Sequence, residues 1–244
     1  MADKFWYVVM VPMVYFSVAW CVAWVIVRIV RILRAPKLAY TLRIFPVGMG
    51  SDDLPKSPLA GAIWDAFTMP SVRKHQPLLW GFLIVFHVCI LLLLLAHLDI
   101  LPQINIMSPN SPHMLGYGAI GVVLTVCLLY FLFRRFGTPV REVSVPGDYL
   151  VLVLLLAAAV SGDTISWGNS WTENGFVITK ADFGSYLNSL LHFTFADPRQ
   201  FLSGSHYAVI GTHVLLANLL LIFLPFSKIM HFAFAVPLNK LRRG

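Results

Sequence analysis

The stretch PLLWGFLIVFHVCILLLLLAHLDIL, residues 77–101, decides how this chain is read. As a helix rising about 1.5 Å per residue it is long enough to cross the hydrocarbon of a bilayer. It carries two histidines, His87 and His97, in an otherwise apolar setting. An ionisable side chain is expensive in lipid, so its presence points to function. Neutral imidazole is a common metal ligand and an axial ligand of haem iron. A second pair, His213 and His231, lies in the last apolar run. Two histidines on each of two facing helices can hold two haems, one above the other.

Composition supports the membrane reading. The 244 residues are 58% hydrophobic and 12% charged, with a mean hydropathy of +0.77. A soluble domain carries about twice that charged fraction. Five apolar segments stand out, at 5–29, 77–101, 114–133, 148–167 and 206–234. The last is expected to run on as a helix to Phe234. Unpaired backbone groups are costly in lipid, so each span is expected to be helical. The expected fold is an all-α integral membrane protein, a five-transmembrane-helix bundle forming one membrane domain over 1–244. The first apolar run is too long for a secretory signal and lacks a clear cleavage site, so it is expected to stay as a span. Cys21, Cys89 and Cys127 lie far apart in apolar runs. Their spacing matches no iron–sulfur or zinc motif, and buried, inert thiols are expected.

Lys and Arg set the expected orientation. Arg28, Arg31, Arg34, Lys37, Arg43, Lys56, Arg73 and Lys74 follow the first span. Arg134, Arg135 and Arg141 follow the third, and Lys228, Lys240, Arg242 and Arg243 lie in the tail. Only Lys4, Lys180 and Arg199 fall on the other side. The positive-inside rule puts the N-terminus outside and the C-terminus in the cytoplasm. This topology accounts for the net charge of +7, and no nucleic-acid partner is needed. Two connections carry candidate interfacial helices, at 59–68 and 183–195.

In this topology the second and last spans run in opposite directions. His87 therefore pairs with His231 towards the cytoplasm, and His97 with His213 towards the outside. Helix rise separates His87 from His97 by about 15 Å and, on a continuous helix, His213 from His231 by about 27 Å. Tilt would have to absorb that mismatch, and the mean implies irons about 20 Å apart. Eighteen residues make five whole turns, which puts His213 and His231 on one face. Asp99 and Asp163 sit at outer ends, and no carboxylate lies at midspan. That pattern disfavours a proton pump or ion-coupled transporter, as does the lack of an internal repeat.

The two histidine spacings and the tail LPFSKIMHFAFAVP, residues 224–237, resemble the gamma (cytochrome b) subunit of membrane-bound nitrate reductase. They also resemble the membrane subunits of heterodisulfide reductase and of sulfate-reduction-associated complexes. The resemblance covers about residues 5–240. It implies two haem b groups with bis-histidine ligation, His97 and His213 holding the outer one and His87 and His231 the inner one. It further implies a menaquinone site by the outer haem and a cytoplasmic iron–sulfur subunit by the inner one. A heterodisulfide-reductase-like iron–sulfur protein is the preferred partner.

One departure from that family concerns a lysine near its outer haem that is implicated in quinol binding. This chain has no lysine between Lys74 and Lys180. His113, Tyr117 and His206 are the candidates for exchanging the quinol's protons, although an interfacial position alone also explains His113. Arg28, Arg31, Arg134 and Arg135 lie where they could neutralise the acid groups of the inner haem, and positive-inside anchoring explains them too. The expected function is a dihaem electron carrier between menaquinone and the cytoplasmic partner. The competing readings are a wire from a periplasmic multihaem cytochrome c and a haem-free membrane anchor.

Overall fold

The computed structural model describes residues 2–34, 58–104, 118–171, 180–202, 207–231, 233–236 and 239. Among the described residues there are helices and no strands. In chain order the α-helices are α1 (Ala2–Met10), α2 (Pro12–Arg34), α3 (Pro58–Thr68), α4 (Pro70–His75) and α5 (Pro77–Asp99). They continue with α6 (Ala119–Phe136), α7 (Pro146–Trp171), α8 (Lys180–Leu191) and α9 (Tyr207–Phe223). Among the described residues five segments are long and apolar enough to cross a membrane: Asp3–Arg34, Pro77–Asp99, Ala119–Phe136, Pro146–Ser166 and Tyr207–Phe226. The protein is a multi-pass membrane protein.

Prolines explain where the helices depart from the apolar pattern. Pro12 has no N–H and interrupts the first span at Val11, separating α1 from α2. Side chains take up carbonyls beside the break. Asn218 Nδ2 donates to the Val9 carbonyl at 2.9 Å, and Tyr186 Oη to that of Met10 at 2.6 Å. Ser17 Oγ donates to Asn218 Oδ1 at 2.8 Å, completing a buried network between α2 and α9. Burial pushes the Tyr186 hydroxyl well above the usual phenol range, so it stays a donor.

The last span corrects the expectation of a continuous helix to Phe234. α9 ends at Phe223 and gives way to two 3₁₀ turns, Leu224–Phe226 and Lys228–Met230, with Ser227 extended between them. Pro225 cannot donate to the i−4 carbonyl, which breaks the α pattern. Trp20 Nε1 donates to the Ile222 carbonyl at 3.3 Å, and Trp24 packs edge-on against Phe226. The expected 183–195 helix is also shorter, because α8 stops at Leu191 and both Phe193 and Phe195 take positive φ of 53°. The third span begins later than expected, at Ala119, and continues to Phe136.

The spans pack in the order α5, α6, α7, α9, α2. α5 and α9 thus lie at different places in the row and share little backbone contact. The ends of the bundle differ in character. At the basic end α2 finishes with Arg31 and Arg34, α6 with Arg134 and Arg135, and α4 with Arg73 and Lys74. At the far end α1 and α8 pack on the start of α9 around Met10, Leu202, Tyr207 and Ile210. A second cluster, Cys89, Leu124 and Leu128, joins α5 to α6. All three cysteines are free and buried.

Candidate functional site

α5 and α9 approach one another through imidazoles. The His97 and His213 ring centroids lie 6.3 Å apart, with planes 16° from parallel. At the basic end the His87 and His231 centroids lie 5.9 Å apart, with planes at 89°. Both pairs meet despite the unequal spacing along the sequence. The break at Pro225 removes the mismatch, since residues 227–231 no longer advance as a regular helix. The rise of α5 then sets the separation of the two pairs at about 15 Å, shorter than the mean of about 20 Å expected with a continuous last helix.

All four rings make the same kind of bond. His87 Nδ1 bonds the Leu83 carbonyl at 2.6 Å, and His97 Nδ1 that of Leu93 at 2.7 Å. His213 Nδ1 meets the Ala158 carbonyl at 3.1 Å and Ser161 Oγ at 2.9 Å. His231 Nδ1 meets the Lys228 carbonyl at 3.0 Å. A carbonyl oxygen can only accept, so Nδ1 carries the proton in each ring. In a neutral imidazole Nε2 then keeps its lone pair, on the ring edge turned away from the backbone. This tautomer, fixed by a second bond, is the usual state of a metal-binding histidine.

The spacing suits one metal per pair. A metal–imidazole bond is about 2 Å and the nitrogen lies roughly 1.1 Å from its ring centre, so two imidazoles on opposite sides of one ion put their centroids about 6 Å apart. Among the described residues no three His, Cys, Asp or Glu side chains converge as a metal site. A metal held by two side chains takes its other ligands from elsewhere. A haem would supply those ligands itself, and His97 with His213 and His87 with His231 are the residues that would hold one each.

Several residues that shape the pairs were not anticipated. Gly162 lies against His213, and a Cβ there would stand 3.2 Å from the ring's Cε1. Ser161 and Gly162 form a small, polar step in the apolar run of α7, the kind of residue that lets membrane helices approach and bond. At the basic end the buried Asp148 carboxylate holds Lys228 Nζ at 2.6 Å and Arg135 Nη1 at 3.3 Å. It thereby ties down the turn whose carbonyl accepts from His231. Nearby, an open cavity of about 510 Å³ is lined by Arg28, Lys228 and His231. Thr125 Oγ1 donates to Asp163 Oδ2 at 3.0 Å across α6 and α7. His113, Tyr117 and His206 lie outside the described residues.

Comparison with known proteins supplies the family. Residues 66–244 match the model of the nitrate reductase gamma subunit. The chain is 30% identical over 177 residues to a protein of Archaeoglobus fulgidus named Hdr-like menaquinol oxidoreductase cytochrome b-like subunit. That alignment covers 65% of this chain and 48% of the relative. A protein of the same name from Archaeoglobus profundus is 28% identical over 169 residues, covering 64% of this chain and 47% of its own length. The chain thus spans about half the length of the curated relatives it matches. No solved structure matches it significantly. Nearly three-quarters of the sequence, including all four paired histidines, falls within the matched region, and the chain belongs to the nitrate reductase gamma subunit family.

Proposed function

We propose that this protein is a dihaem b membrane subunit that carries electrons across the cytoplasmic membrane, between a menaquinone pool and a cytoplasmic iron–sulfur partner. The observation that carries the proposal is the meeting of α5 with α9 and with the turn after it through two imidazole pairs, 6.3 and 5.9 Å apart, with every Nδ1 on a carbonyl. His97 and His213 would hold the outer haem, and His87 and His231 the inner one. The orientation that makes them outer and inner, N-terminus outside and C-terminus in the cytoplasm, is supported by the Lys and Arg gathered at one end of the bundle.

Bis-histidine haem supplies one-electron transfer and has no open coordination site for a substrate. The chain's own residues hold and orient. Four Nδ1–carbonyl bonds keep the rings in the ligating tautomer. α7 braces the outer pair through Ser161 and Ala158. Asp148 fixes the turn under the inner pair through Lys228. The relatives' names support a link to menaquinol, and His113, Tyr117 and His206 are the candidates, from their places in the sequence, for exchanging the quinol's protons.

Replacing one histidine from each pair tests this reading. His213→Ala should remove only the outer haem's signal in a redox titration followed optically, and His231→Ala only the inner one's. Two histidine variants that leave the haem spectrum unchanged would overturn the assignment.

A further inference from the structure

Four arginines stand at the basic end where sequence alone allows each to face an inner cofactor: Arg28, Arg31, Arg134 and Arg135. The structure separates them. Arg134 Nη2 donates to Gln76 Oε1 at 2.8 Å. Arg135 is engaged by Ser144 at 3.1 Å and by the Asp148 carboxylate at 3.3 Å. Arg31 is exposed on α2 and does not line the cavity. Arg28 is half-buried, lines the same cavity as the His231 ring, and has no acid partner among the described residues.

An unpaired guanidinium on a membrane-spanning helix is costly unless it reaches water or meets an anion. Arg28 faces a cavity of about 510 Å³ that also contains Ser227 and Lys228, with Phe226 and Met230 as apolar wall. The Lys228 ammonium lies against the Asp148 carboxylate, which it shares with Arg135 and which fixes its position. Among the described residues Arg28 is the cation lining this cavity that has no carboxylate against it, and its planar fork suits one. The apolar wall suits the body of a large, flat acid. Apolar surface, a candidate iron ligand and a free guanidinium on one cavity match a porphyrin that carries acid side chains.

We propose that Arg28 is the carboxylate-binding residue of the inner cofactor site, pairing with an acid side chain of the haem held by His87 and His231. This rests on the dihaem reading above. It assigns a role to α2, a helix that contributes no histidine. The same chemistry would suit the phosphate of a lipid headgroup, because α2 approaches the basic membrane surface here, and the experiment separates the two.

A cation beside a haem disfavours the more positive, oxidised iron and so raises the midpoint potential. In the purified complex Arg28→Gln should lower the inner haem's midpoint while leaving the outer one unmoved. Arg28→Lys should restore most of the shift. Arg31→Gln removes the same charge one turn on and should shift neither. Haem-to-chain ratios taken on each variant show that the fold survives. Two bound haems with an inner midpoint no more sensitive to Arg28→Gln than to Arg31→Gln would overturn the proposal. Unchanged potentials with less phospholipid phosphorus bound per chain would also overturn it, and would assign the cavity to lipid. A wild-type protein without haem would overturn both this inference and the reading beneath it.

Discussion

The two imidazole pairs are alike in spacing and unlike in support. His97 and His213 stand on regular helices, α5 and α9, and α7 reaches His213 with a hydroxyl, a carbonyl and the bare face of Gly162. His87 stands on the same helix, but His231 follows a 3₁₀ turn held by an ion pair between Lys228 and Asp148. The first pair is nearly parallel and the second nearly perpendicular. Regular helices set the geometry of the first pair by packing. A broken helix and a buried carboxylate set that of the second. That contrast teaches that two like imidazole pairs are held here by two kinds of scaffold, which should respond to different substitutions.

The largest effect expected is the loss of a whole cofactor. His97→Ala should take the haem content from two per chain to one and abolish the outer signal, with His87→Ala doing the same for the inner. If either variant loses both haems, the pairs are not independent and the contrast fails. Next comes the line shape in electron paramagnetic resonance. Nearly parallel imidazole planes split the iron orbitals and give a rhombic low-spin signal. Perpendicular planes leave two orbitals close in energy and give a strongly anisotropic one. The wild type should show one signal of each kind, and His213→Ala should erase the rhombic one alone.

Smaller effects should sort by scaffold. Asp148→Asn should loosen the inner site by on the order of 1 kcal/mol, the range of a charge-assisted hydrogen bond reduced by the exposure of Lys228. Inner haem occupancy under dilution reads this, with the outer haem unaffected. Gly162→Ala should reverse the pattern, since its methyl carbon would press the His213 ring and shift the outer haem's spectrum alone. The smallest effect on either haem is expected from Tyr186→Phe. It should cost about 1 kcal/mol of stability through the lost bond to Met10, seen as a lower Tm with both haem spectra intact.

The spans and the partners of each histidine could be read from the sequence because apolar length and Lys/Arg bias are strong, one-dimensional signals. Residues 77–101 needed no tertiary information. The end of the last span did need it. The arithmetic joining His213 to His231 assumed a regular helix through Pro225, and Pro225 breaks that helix. The overlong 183–195 helix has a different cause, since Phe193 and Phe195 take a left-handed backbone that no apolar pattern reveals. The bracing of His213 by Ser161 and Gly162 depends on which face of α7 meets α9. A small polar step marks such a face without naming its partner. Asp148 was hidden for a similar reason, because its cations come from residues 135 and 228, distant in sequence and adjacent in space.

The proposed function depends on four imidazoles gripping two irons. The direct test is the amount of protohaem per polypeptide in the purified, folded protein, measured as the pyridine haemochrome. The proposed function predicts two per chain, falling to none in a His87→Ala, His97→Ala double variant. A well-folded wild-type protein with no haem, or with haem retained by that double variant, would contradict it.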